Sequence, residues 1–298
     1  MSEVQRRVIW SGKGMPASDG AGVKLNRVIG QPALPDIDPF LMLDEFGSDD
    51  PQAYIAGFPD HPHRGFETVT YMLDGRMRHR DNKGNEGLLT PGSVQWMTAG
   101  RGIVHSEMPE QDAGLMRGFQ LWLNLPAKDK MTEPRYQDIT PDRIPTVDLG
   151  AGASAKLIAG GLGSASGPVQ AGATEPFYAD ITLQALAETT IPLPTEHAAF
   201  AYDYEGHAAL DAPAPLPARG SIAVAHNGKR TNHESLRERL EVKGSIFQSA
   251  SDPEAIVHLI AMSNQRSVED RIAEALRQVE GAYSLLFLTE RDMVAVRD

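Results

Sequence analysis

Apolar and polar residues alternate with a period of two through most of the first two hundred positions. The runs are short, and glycine, proline or asparagine interrupts them about every ten residues. Glu67–Leu73, Ser93–Met97 and Gly118–Asn124 carry the alternation most plainly, and Asp74-Gly75 and Asn82-Lys83-Gly84-Asn85 are turn signals between such runs. Many short strands without intervening helices predict a sandwich or barrel. The pattern returns more weakly in Phe177–Leu183 and Ala199–Tyr204, which fits a second β-barrel starting near residue 146.

Near residue 210 the pattern changes. Asp211–Gly220 is proline-rich and reads as an extended linker. Beyond it the spacing becomes mixed α/β. Ser251-Asp252-Pro253-Glu254 is a capping box with proline at the first helical position, and Ser267 opens a second helix with apolar Ile272, Ala275, Leu276 and Val279. Ala282–Leu288 and Met293–Val296 read as a hairpin. The expected domains are therefore 1–145, 146–210, a linker at 211–220, and an α/β fragment over 221–298.

Charge and composition narrow the function. Lys and Arg total 28 and Asp and Glu total 40, so the formal charge of the 298 residues is −12. Such a chain repels nucleic acid and anionic lipid. It has no cysteine, which excludes disulfides, zinc–thiolate sites, iron–sulfur clusters and a cysteine nucleophile. The start, MSEVQRRVIW, lacks the apolar stretch of a secretion signal, and no apolar run reaches the ~20 residues of a membrane helix. A cytoplasmic location is expected.

The strongest chemical signal is a pair of pairs. His61-Pro62-His63 and His105-Ser106-Glu107 each place two donors at i and i+2, which face the same side of a strand. Three nitrogens and one oxygen favour Fe(II), also suit Mn, Ni, Cu or Zn, and are too nitrogen-rich for Ca or Mg. On spacing alone the alternative stands beside this: a turn flanked by His61 and His63, and an ordinary surface pair at His105 and Glu107. The other six histidines, His79 among them, have no such pairing and read as structural or solvated.

The two stretches His61–Tyr71 and Thr98–Glu107 resemble the pirin family of the cupin superfamily. Asp36–Phe46, Phe119–Pro126 and Glu196–Tyr202 extend the likeness over about residues 5–207. The resemblance implies a mainly β protein made of two cupin (jelly-roll) barrels. Its N-terminal barrel would hold iron through His61, His63, His105 and Glu107. Glu67 lies on the same odd-numbered series as the histidines, so a regular strand would aim it at them as a partner for an imidazole. The resemblance also implies quercetin 2,3-dioxygenase activity on a flavonol and O2, with Glu107 as ligand and candidate catalytic base. Trp96, Met97, Phe119 and Trp122 are pocket candidates, although core packing is the better explanation for each one taken alone. The rival reading within the family is a non-catalytic, iron-binding partner of another protein.

From about Ser221 the resemblance changes to the glutaminase domain of glutamine phosphoribosylpyrophosphate amidotransferase. Asn227, Gly228 and Asp252 match its glutamine-binding positions, whereas Lys229 and Pro253 depart from it. Without the cysteine nucleophile of that family no attack on a glutamine amide is possible. Pirins continue their second barrel beyond Tyr204-Glu205-Gly206, so a truncated barrel with unpaired strand edges is expected here.

Overall fold

A computed structural model describes residues 8–170, 172, 174–194, 197–206, 208, 220–225, 239–242, 245, 252–263, 265, 267–278, 284–288 and 293–297. The chain divides into two compact units, Met1–Asn227 and Gly228–Asp298.

The first unit is β-structure. Its strands are β1 (Val8–Lys13), β2 (Met15–Asp19), β3 (Val23–Ile29), β4 (Phe40–Ser48), β5 (Phe58–His63), β6 (Phe66–Asp74), β7 (Met77–Asp81), β8 (Glu86–Leu89), β9 (Val94–Thr98), β10 (Ile103–Pro109), β11 (Met116–Asn124) and β12 (Arg135–Ile139). There follow β13 (Thr146–Gly150), β14 (Ala153–Ala159), β15 (Gly161–Leu162), β16 (Ala165–Ser166), β17 (Tyr178–Leu183), β18 (Ala199–Asp203) and β19 (Ser221–Ala225). The expected runs around residues 67–73, 93–97 and 118–124 are β6, β9 and β11.

A seven-stranded sheet, ordered β12-β9-β6-β11-β4-β3-β2, is the frame of the unit, and a four-stranded sheet, β5-β10-β7-β8, faces it. Strand alternation decides which side each residue serves. Leu25, Phe46, Met72 and Met116 pack toward the four-stranded sheet, meeting Met77 and Leu89. Leu43, Val69, Tyr71, Phe119 and Leu121 point the opposite way, into a larger core with Ile158, Ile222 and Val224 of the later strands. Both faces are buried, so successive residues along β6 and β11 are all enclosed or nearly so. Each fully buried Leu, Val or Phe contributes roughly 1.5–3 kcal/mol.

Asp180 ties the two halves of this unit together. It accepts from Tyr71 and Tyr204 at 2.7 Å each. Burial, with Asp180 alongside, pushes the Tyr71 and Tyr204 phenols up, so both stay protonated donors.

Most of the expected linker, 211–219, lies outside the described residues. The strand after it is a correction to the expected boundary. Ser221–Ala225, which sequence pattern assigns to the C-terminal fragment, is the middle strand of a sheet ordered β1-β19-β18 and belongs to the first unit. It pairs along its whole length with Val8–Lys13, across a register shift between Val8 and Trp10, and with Ala199–Asp203. An apolar run next to two open edges satisfies its backbone there regardless of the family it resembles.

The second unit contains α1 (Asp252–Met262), α2 (Val268–Leu276) and a hairpin of β20 (Ser284–Leu288) and β21 (Met293–Arg297). Leu240, Leu259 and Ala275 form its core. Ser267 caps α2 by accepting from the Asp270 amide. Asn227, Gly228 and Lys229 lie outside the described residues. Among the described residues no helix is long and apolar enough to cross a membrane.

Candidate metal centre

β5 and β10 are antiparallel neighbours, with His105 directly opposite His61 and Ile103 opposite His63; the register shifts between His105 and Glu107. β5 is an edge strand of its sheet, where Pro62 forfeits no ladder bond. The three imidazoles converge. His61 Nε2 lies 2.9 Å from His63 Nε2 and 3.1 Å from His105 Nε2, and the ligating atoms of all three lie within 4.8 Å of one another. His63 and His105 are buried, and His61 is half-buried.

Their protonation suits a cation. His61 Nδ1 lies 2.8 Å from the Pro59 carbonyl, so it carries the proton and leaves a lone pair on Nε2. Burial, then the neighbouring imidazoles, pushes His63 and His105 down to about 3, which keeps both neutral at physiological pH. Two N–H groups cannot share the one lone pair of His61 well, but three lone pairs can share one ion.

Glu107 sits two residues along β10 and is buried, but it is not part of the three-histidine cluster. Its carboxyl is held from the facing sheet. Gln120 Nε2 donates to Oε2 at 2.8 Å. Thr70 Oγ1 lies 2.8 Å from both Glu107 Oε1 and Gln120 Oε1. Thr70 Oγ1 and Gln120 Nε2 together give each Glu107 oxygen a donor.

A cavity of about 690 Å³ opens over these groups, walled by Phe46, Phe58, Phe66 and Trp122 together with His61, His63, Glu107 and Gln120. Its far wall carries Asp44, whose carboxylate accepts from Arg27 Nε at 2.9 Å and Nη2 at 2.8 Å. Burial pushes the Asp44 carboxyl up, against the pull of Arg27.

Comparison with known proteins now decides the family. The pirin profile matches residues 22–123 and a glutamine amidotransferase domain profile matches 210–298. A Pseudomonas aeruginosa protein that carries a provisional quercetin 2,3-dioxygenase name is 46% identical over 269 residues, 88% of this chain and 93% of that protein. The chain belongs to the pirin family. A pirin-like protein of Caulobacter vibrioides is 54% identical over 65% of this chain and 71% of its own length. The crystal structure of a quercetin 2,3-dioxygenase from Acinetobacter baumannii superposes with a TM-score of 0.63 at 27% identity, over 76% of this chain and 81% of that one. A likeness over 88% of the chain also reaches past residue 210, into the segment matched by the amidotransferase profile.

Several expectations about individual side chains need correction on this pirin frame. Glu67 does not face the histidines. The left-handed turn at Gly65 (φ +80°) ends β5 and resets the alternation, so in β6 the even-numbered Phe66, Thr68 and Thr70 face the site. Glu67 lies on the other face, where Thr98 Oγ1 donates to it at 2.6 Å. Of the four pocket candidates, Trp122 lines the cavity, while Trp96 and Phe119 are core on the opposite face and Met97 packs with Ala99 and Ile103. Sequence reasoning missed Thr70, Gln120 and Asp44. The available signal was a polar residue in the middle of an enclosed strand.

Proposed function

We propose that this pirin is a metal-dependent dioxygenase acting on flavonols such as quercetin with O2. In this reading His61, His63, His105 and Glu107 hold a divalent transition metal, with Fe(II) the resident ion. The observation that carries it is the meeting of three imidazole Nε2 atoms, two of them on buried rings, beside an aromatic-walled cavity. A cavity of this size falls in the range of about 300–1,000 Å³ typical of small-molecule sites.

When bound, the ion supplies Lewis acidity toward the 3-hydroxy-4-keto edge of the flavonol and a position for dioxygen. The remaining work falls to the chain's own residues. Phe66 and Trp122 pack edge-to-face against His63, fix its ring and offer apolar contact to an aromatic ligand. Glu107 takes the 3-hydroxyl proton, its carboxylate held in place by Thr70 Oγ1 and Gln120 Nε2, which donate to it. Three neutral histidines and one carboxylate leave a divalent ion with net charge +1, which suits an anionic oxygen chelator. The names of the Pseudomonas and Acinetobacter relatives support the same chemistry.

The test is anaerobic loading with Fe(II), Mn(II), Ni(II) or Cu(II), followed by quercetin and measured oxygen uptake. Stoichiometric uptake with at least one ion is expected. Metal binding without turnover for all four would refute the enzymatic reading and leave an iron-binding interaction protein.

A further inference from the structure

Beside His105, four buried polar atoms lack a partner of good hydrogen-bond geometry among the described residues: both ring nitrogens of His79, Nδ1 of His105 and the Tyr136 hydroxyl, which lies next to the Asp81 carboxylate. They belong together. β7 pairs with β10 so that His79 is directly opposite Glu107 and Asp81 opposite His105, which places all four side chains on one face. The His79 ring centroid is 6.1 Å from that of His105 and 4.5 Å from that of Tyr136. His79 is fully buried. Any neutral imidazole has one N–H and one lone pair, and burying either unsatisfied is unfavourable.

A demand at His105 matches this cluster. To present the Nε2 lone pair toward His61 and His63, His105 must carry its proton on Nδ1. That N–H has no acceptor on its own strand. We propose that His79 is a positioning residue of the centre, taking the His105 Nδ1–H through one bridging water, with the Tyr136 hydroxyl completing the seat. At 6.1 Å between centroids the nearest ring nitrogens are too far apart for a direct bond, and a single water spans such a gap. The consequence is a fixed tautomer and ring orientation at His105, which strengthens its Nε2 as a ligand. The inference rests on the metal reading above.

The test uses the full chain and three variants: His79→Leu, His79→Asn and Tyr136→Phe. Ni(II) affinity is measured by chelator competition. The tautomer of His105 is read in the Zn(II)-loaded protein from long-range 1H–15N correlations. Expected are a loss of about 10–100-fold in Ni(II) affinity for His79→Leu, partial recovery in His79→Asn, and a smaller loss in Tyr136→Phe. The metal-free melting temperature of His79→Leu should not fall, since it removes unsatisfied polar atoms. A purely structural role would lower the melting temperature and leave affinity unchanged. Unchanged affinity in His79→Leu, or in both milder variants should the leucine variant not fold, overturns the proposal. So does a His105 proton found on Nε2. If the wild-type chain binds neither ion, the metal centre itself falls and this inference with it.

Discussion

Acidifying the metal-free protein should destabilise it steeply, by an amount set by two buried imidazoles. His63 and His105 have an ordinary value of 6.5 when the chain is unfolded, and burial plus neighbouring rings pushes both down to about 3 when it is folded. Between these values the unfolded chain binds more protons than the folded one, so stability falls as pH falls. At pH 5 the unfolded imidazoles are almost fully charged and the folded ones almost fully neutral. Relative to pH 8, each then loses about 2 kcal/mol of stability, or about 4 kcal/mol for the two together. That is a large share of a typical domain's 5–15 kcal/mol. The assay is guanidinium unfolding of chelator-treated protein at pH 8, 7, 6 and 5, alongside the double variant H63Q/H105Q. The wild-type curve should drop most between pH 6 and 5, and the double variant should lie flatter by most of that amount. A wild-type stability independent of pH over this range, or an equal slope in the double variant, would refute the reasoning.

Three further outcomes follow from the same contacts. Thr70→Val removes a hydroxyl that serves Glu107 and Gln120, so the metal-free unit should lose about 1–3 kcal/mol, read as a lower midpoint in denaturant with unchanged slope. Asp180→Ala leaves the phenols of Tyr71 and Tyr204 without their acceptor inside the first unit and should cost about 2–5 kcal/mol in the same assay; a change below 0.5 kcal/mol would show that the clamp is idle. A chain cut after Asn227 keeps β19 and should stay in solution without aggregating, read by size-exclusion chromatography beside the full chain. One cut after Gly220 exposes the edges of β1 and β18 and should aggregate.

Sequence pattern reached β6, β9 and β11 because short β-branched and aromatic runs bounded by turn residues mark a strand even where both faces of its sheet are enclosed. It also found the histidines, since i and i+2 spacing on β5 survives any register. It failed where a local rule meets a distant constraint. Glu67 is misdirected because parity does not carry across the Gly65 turn. His79 shows nothing by itself; its meaning comes from β7 lying beside β10. Ser221–Ala225 resembles one family by its residues yet is claimed by β1, some two hundred positions earlier. Thr70 and Gln120 matter only through a carboxylate on the facing sheet.

The central claim is that one ion is held where the imidazoles of His61, His63 and His105 meet. Metal content per chain, after loading and exhaustive dialysis, tests it in the wild type and in His63→Ala and His105→Ala. The account predicts close to one equivalent in the wild type and almost none in either variant. A full equivalent retained by both variants would contradict it.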